Sequence, residues 1–347
     1  VKAFWHAAHR AHAPTFFLQR GLVKQYLETP ARAEALLAAC HELKLDIVEP
    51  PLGDRATLLT VHRPDCIAFL EQAPALWSAL PDHGDDLVPT VHPAPEMLGN
   101  GARLPSSVVG QLGWYTADTS CPMTAGTWRA AEGAAACALA AADEAAAGRS
   151  AYALCRPPGH HAYPARAGGH CFLNNAALAA ERLRARGAAR VAILDIDAHH
   201  GNGTQGIFWD RADVVFVSVH GDPAEYYPFY LGYGDESGAA AGTGYTKNLP
   251  LPRGTEDAVW LDALRHGVDF VQNCAADALV VSLGFDASVS EPLRFLSISD
   301  DGFARAGEMV GGLGMPTALV QEGGYDVTAL GRLLRRFLDG FFAPSRS

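Results

Sequence analysis

Short unbroken apolar runs, rather than alternating ones, mark the second half of the chain. Arg190–Leu194, Val214–Val219, Ala278–Leu283 and Thr317–Val320 are apolar at nearly every position. A strand covered on one face alternates in polarity, so continuous runs predict strands buried on both faces. Helical stretches separate them, over Asn174–Arg186, Glu256–Ala275, Asp300–Gly311 and Val327–Phe341. The Ala-rich stretch Trp128–Ala147 is a further helix on propensity, and Tyr152–Leu154 reads as a strand after it. This alternation predicts an α/β fold, a parallel sheet wrapped by helices. The first part of the chain is less regular. Ala31–Leu43 reads as a helix and another begins at Asp65, after Pro64. Residues 81–122 are broken by Pro and Gly and predict a long loop, a kind of segment that is usually functional or disordered. With no internal repeat and no interdomain linker, residues 1–347 read as one domain.

Composition narrows the class. The chain has 347 residues, 49% hydrophobic and 19% charged, the balance of an ordinary soluble protein. Its 38 acidic and 27 basic residues give a net charge of −11. That field repels nucleic acid and favours small cations or basic tails as partners. Seven scattered cysteines without a C-x-x-C pair argue against a disulfide framework or a cysteine zinc site, and for a reducing cytoplasm. No secretory segment opens the sequence and no apolar run is long enough to span a membrane.

Chemistry concentrates where apolar runs end. Ile193-Leu-Asp-Ile-Asp-Ala-His-His-Gly-Asn-Gly203 carries Asp195, Asp197, His199 and His200 directly after a buried strand. Unpaired charge is costly to bury, and the carboxyl end of a parallel strand is where α/β proteins place their sites. Asp197 and His199, two apart, point to one side of an extended chain and make half of a zinc or manganese site. A lone aspartate there would more often be a hydrogen-bonded strand end; the D-x-D-x-H-H-G run is not so easily dismissed. Val281-Ser-Leu-Gly-Phe-Asp-Ala287 adds Asp286, which alone could equally be a helix cap. One imidazole and two carboxylates leave coordination positions open, as in a catalytic rather than structural zinc site. Cys155-Arg-Pro-Pro-Gly-His-His161 holds adjacent His160 and His161 on a rigid loop, and histidine is the usual proton-transfer group. In Gln321-Glu-Gly-Gly-Tyr-Asp326, a double-glycine turn could aim the Tyr325 hydroxyl at a developing oxyanion.

Together these segments resemble the histone deacetylase superfamily over nearly the whole chain. The carrying motifs are R-P-P-G-H-H, D-I-D-A-H-H-G-N-G and E-G-G-Y. Ser218-Val-His-Gly-Asp-Pro-Ala-Glu-Tyr-Tyr-Pro228 and Gly126-Thr-Trp-Arg129 look like its bacterial acetylpolyamine amidohydrolase branch. The resemblance implies an arginase–deacetylase type fold with an eight-stranded parallel sheet. It implies one zinc ion on Asp197, His199 and Asp286, activating water for attack on an acetyl carbonyl. His161 would be the general base, oriented by Asn202. His160, paired with Asp195, would give electrostatic help, and Tyr325 would stabilise the oxyanion. Potassium or sodium would sit behind the zinc on Asp195, the Ser218 hydroxyl and the carbonyls of Asp197, His199 and Val219.

By the same resemblance the substrate channel is walled by Tyr227 and by His170, where an aromatic ring is usual, and Gly169 offers its carbonyl to the substrate amide. Leu293 takes the place of a gatekeeping glutamate. Val109 and Ser120 take the places of the branch's acidic residues, and Asp118 stands nearby to meet a distal ammonium. The implied partner is a small cationic acetylated amine, and the implied assembly a homodimer using residues 81–122. Acetyl-lysine peptides are the alternative substrate. A binuclear manganese ureohydrolase would need D-A-H-x-D, and Gly201 stands where its second acid belongs. A non-catalytic homologue is the remaining rival, although every catalytic position holds a competent residue.

Overall fold

A computed structural model describes residues 1–53 and 55–343. Its ten strands are β1 (Lys2–Phe4), β2 (Phe16–Gln19), β3 (Leu22–Gln25), β4 (Asp46–Val48), β5 (Ala151–Ala153), β6 (Val191–Asp195), β7 (Val214–Gly221), β8 (Thr246–Leu251), β9 (Ala278–Leu283) and β10 (Thr317–Gln321). Eight form one sheet in the order β4-β1-β5-β10-β9-β6-β7-β8, every pairing parallel. β2 and β3 make a separate antiparallel hairpin.

The apolar runs are buried on both faces, as their lack of alternation requires. In β6, Val191 and Ile193 join a core with the helices Thr127–Ala146 and Asn175–Ala185. Ala192 and Leu194 join the opposite core, with the helices Pro30–Glu42, Asp257–Asn273, Asp300–Gly311 and Val327–Phe341. Helices therefore cover both faces of a single domain. Among the described residues no helix is long and apolar enough to cross a membrane.

Several expectations need correction. The expected loop at 81–122 contains two short helices, Pro95–Gly99 and Val108–Trp114, and Leu112 of the second is fully buried. The strand expected at Tyr152–Leu154 lies one residue earlier. The N-terminal part supplies two sheet strands and the hairpin, all too short to carry a periodic signal. β8 carries no apolar run either: Thr-Lys-Asn-Leu-Pro-Leu is half polar, and its Pro250 is tolerable only because β8 is an edge strand.

Candidate active site

The carboxyl ends of β6, β9 and β10 are adjacent in the sheet, and their following loops bring Asp197, His199, Asp286 and Tyr325 to one place. The ligand atoms of Asp197, His199 and Asp286 all lie within 4.8 Å of one another, and all three residues are buried. His199 Nδ1 stands 2.9 Å from Asp286 Oδ2 and 3.2 Å from Asp197 Oδ1. Main-chain donors fix the carboxylates: Ala198 N–H donates to Asp286 at 2.8 Å, and Gly323 N–H to Asp197 at 2.8 Å. The double glycine after β10 thus does more than turn the chain. A Cβ at Gly323 would meet Asp286 Oδ2 at 2.3 Å and Asp197 Oδ2 at 2.6 Å, so only glycine lets the main chain come this close.

His160 and His161 follow β5. His160 Nδ1 donates to Asp195 Oδ2 at 2.9 Å. Burial alone would lower its pKa, but Asp195 and Asp197 outweigh that and hold it at about 10. His161 Nδ1 donates to Asn202 Oδ1 at 2.6 Å. Burial, then the neighbouring His160 and His199, push its pKa well down, so the ring is neutral. The pair is split into one cationic and one neutral imidazole. Burial raises the Tyr325 phenol well above its ordinary value, keeping it a hydrogen-bond donor. For His199, burial is outweighed by Asp286 and Asp197, which raise it to about 9.

Asp195 and Ser218 are register partners on β6 and β7. His220 Nε2 donates to the Gly232 carbonyl at 2.8 Å, and burial lowers its pKa to about 4. Its neutral Nδ1 can then only accept, so the Ser218 hydroxyl donates to it at 2.8 Å and keeps its oxygen lone pairs free. His160, Cys171 and Glu322 also converge within 4.8 Å. These atoms have other partners: Glu322 accepts the Gly159 and His160 N–H groups and the Ser282 hydroxyl, and His160 is bound to Asp195. The three-ligand group around His199 is the better candidate to hold a metal.

A cavity of about 260 Å³ leads down to His161, His199 and Tyr325. Tyr227 and His170 wall it, with Gly169 and Leu293 also lining it. Tyr227 meets the His161 ring edge-on, centroids 4.8 Å apart, and Tyr226 stacks on His199 at 4.4 Å. His170 stays uncharged: burial, then Arg32, lower its pKa to about 3, and its Nδ1 lies 3.0 Å from the Tyr26 hydroxyl. It therefore walls the channel as a flat neutral ring. Asp118 lines a second cavity that shares Ser120, Tyr227 and Phe229 with the channel. It is outside the channel lining, with its carboxylate bonded to the Tyr227 hydroxyl and to the N–H groups of Gly169 and Ser120.

Several further residues belong to the site. Among the described lining residues Glu225 is the one carboxylate of the channel, 3.6 Å from Arg253, and the β2–β3 hairpin contributes Phe17 and Arg20. Beneath Tyr325, buried Arg32 places its guanidinium 4.9 Å from the phenol ring and donates to the carbonyls of Gly324 and Glu322. Arg32 and Arg156 share one buried counter-charge, Glu28. Glu291 accepts the Tyr325 N–H at 2.9 Å, and burial followed by Asp286 raises its pKa to about 8. No local pattern marks these positions, except that Glu291 shares a loop with Asp286.

The histone deacetylase domain profile matches residues 26–341. The chain is 42% identical over 345 residues to the acetylpolyamine amidohydrolase of Burkholderia pseudomallei, covering 98% of each chain. It is 42% identical to acetylpolyamine amidohydrolase 1 of Pseudomonas aeruginosa, over 97% of this chain and 98% of that one. The crystal structure of the Burkholderia pseudomallei acetylpolyamine aminohydrolase superimposes with a TM-score of 0.94, at 42% identity and 99% coverage of both chains.

Proposed function

Because the chain belongs to the histone deacetylase family, we propose that it is a metal-dependent amidohydrolase that removes acetyl groups from acetylpolyamines. The observation that carries this reading is the meeting, in one narrow cavity, of His161, His199 and Tyr325 with the three-ligand group. Relatives matched over nearly their full length are acetylpolyamine amidohydrolases, and Glu225 offers a carboxylate in the channel to an ammonium group.

The donor set fits zinc: one imidazole and two carboxylates, drawn together at buried positions. Asp197, His199 and Asp286 would hold it, and when bound it would polarise the acetyl carbonyl and acidify water. His161, neutral and oriented by Asn202, takes a proton from the attacking water and returns it to the leaving amine. His160, charged through Asp195, opposes the negative charge that develops beside it. Tyr325 donates to the oxyanion. Tyr227 and His170 hold the slender acyl-amine chain, the Gly169 carbonyl accepts the amide N–H, and Leu293 closes one side. Potassium or sodium would bind Asp195, the Ser218 oxygen and the carbonyls of Asp197, His199 and Val219.

A homodimer is part of the same reading, since the 81–122 segment exposes Val91, Met97, Leu98 and Leu104. So is a cytoplasmic location, which suits seven free cysteines. The alternative, an acetyl-lysine peptide deacetylase, draws on the apolar Leu293 and the cationic Arg20 in the channel lining. Turnover of acetylputrescine, acetylspermidine and an acetyl-lysine peptide by the zinc-loaded protein decides between them. The expected result is a strong preference for the polyamines, and equal or better turnover of the peptide would overturn it.

A further inference from the structure

Beyond Asn202, the His161 ring is linked to a second aromatic residue. Asn202 Oδ1 accepts from His161 at 2.6 Å, while Asn202 Nδ2 donates to the Tyr163 hydroxyl at 3.2 Å. Asn202 opens the helix Asn202–Phe208, and Gly206 lies one turn further along the same face. The Tyr163 ring packs onto that turn: a Cβ at Gly206 would meet Tyr163 Cε1 at 2.5 Å. Tyr163 N–H donates to the Arg166 carbonyl at 2.9 Å, pinning the loop that carries the ring. Half-buried Tyr163 also lines a second cavity, with Asn202 and Arg166, that adjoins the channel at Tyr227 and Phe229.

Neutral histidine has two tautomers, and only one leaves a lone pair on Nε2. An amide side chain can present either its oxygen or its nitrogen, so Asn202 could select either tautomer unless its own orientation is held. With the oxygen toward His161, Nδ1 carries the proton and Nε2 can accept one. The reversed amide would protonate Nε2 and disable the base. It would also make the Tyr163 hydroxyl donate inward, away from solvent in the second cavity.

We propose that Tyr163 is a positioning residue: seated on Gly206, its hydroxyl holds the Asn202 amide with its oxygen toward His161 and so selects the tautomer that can act as base. The inference rests on the amidohydrolase reading above for its catalytic consequence. Tyr163→Phe is expected to lower kcat about tenfold with KM nearly unchanged, the usual scale for a residue behind the reacting groups. Gly206→Ala, which displaces the ring but keeps the hydroxyl, should do the same. The deciding comparison repeats Tyr163→Phe in an Asn202→Asp background, because a carboxylate presents oxygen in either orientation and needs no holding. There the loss should shrink to less than about twofold. Ring ¹⁵N shifts of His161 read the tautomer without turnover: a protonated Nδ1 in the parent protein, a mixture in Tyr163→Phe. An equal loss in both backgrounds, or an unchanged tautomer in Tyr163→Phe, overturns the proposal. If the parent protein hydrolyses no N-acetyl amine, the amidohydrolase reading falls, while the nitrogen shifts still decide the role of Tyr163.

Discussion

The Tyr227 hydroxyl donates to Asp118 at 2.6 Å, and the same carboxylate accepts the Gly169 N–H at 3.1 Å. Two walls of the channel are thereby tied to one side chain that does not face the channel. Asp118→Ala should loosen both walls and lower kcat/KM about tenfold. The ratio of acetylputrescine turnover to that of uncharged N-butylacetamide should stay the same, because no ammonium contact is lost. A ratio that collapsed towards one would instead make Asp118 the cation-binding residue.

Tyr325 is a buried phenol kept protonated, with its N–H held by Glu291. Tyr325→Phe keeps the ring on Arg32 and removes only the hydroxyl. Expected is a loss of roughly 10²–10³-fold in kcat, the scale for one oxyanion donor. Steady-state kinetics on acetylputrescine checks this, and parental turnover would remove Tyr325 from the chemistry.

Asp286 contributes one of three converging ligands and also fixes the Ala198 main chain at 2.8 Å. Asp286→Ala should leave less than about a tenth of the stoichiometric zinc after dialysis, read by elemental analysis of folded protein. Full retention would mean that the third ligand is another residue.

His62 is buried far along the chain from the metal ligands and accepts the Asn174 N–H on Nε2 at 2.9 Å. Burial lowers its pKa from 6.5 to about 4. Between those values the unfolded chain binds the extra proton, so the stabilising contribution of His62 is complete above pH 6.5 and is lost as the pH falls towards 4. Glutamine can accept the same N–H without titrating. Urea unfolding of His62→Gln should therefore lose about 2 kcal/mol less than the parent protein between pH 7.5 and 5.0. Parallel losses would show that His62 is not held neutral.

What the sequence made legible follows from how local each signal is. Strands β6, β7, β9 and β10 announce themselves because burial on both faces forces unbroken apolar runs. The metal and histidine motifs are equally plain, since each set of functional residues follows one strand within a few positions. Arg32 was invisible: it sits among alanines, and its partners Glu322 and Gly324 lie some 290 residues away in the chain. The bracing contacts of Asp118 were not legible, because its carboxylate meets a tyrosine 109 residues distant. Glu225 is a surface glutamate that only the closing of the channel makes notable.

Neither end of the sheet invites another strand. β4 is three residues long, and β8 carries Pro250, which has no N–H to offer a newcomer. Copies meeting at these edges find too few main-chain partners to zip together, so self-association has to be made by side chains. The hazard lies inward, where β6, β9 and β10 are apolar on both faces and harmless only while their helices cover them. Aggregation of this protein should therefore track detachment of the helical layers rather than fraying at the edges of the sheet.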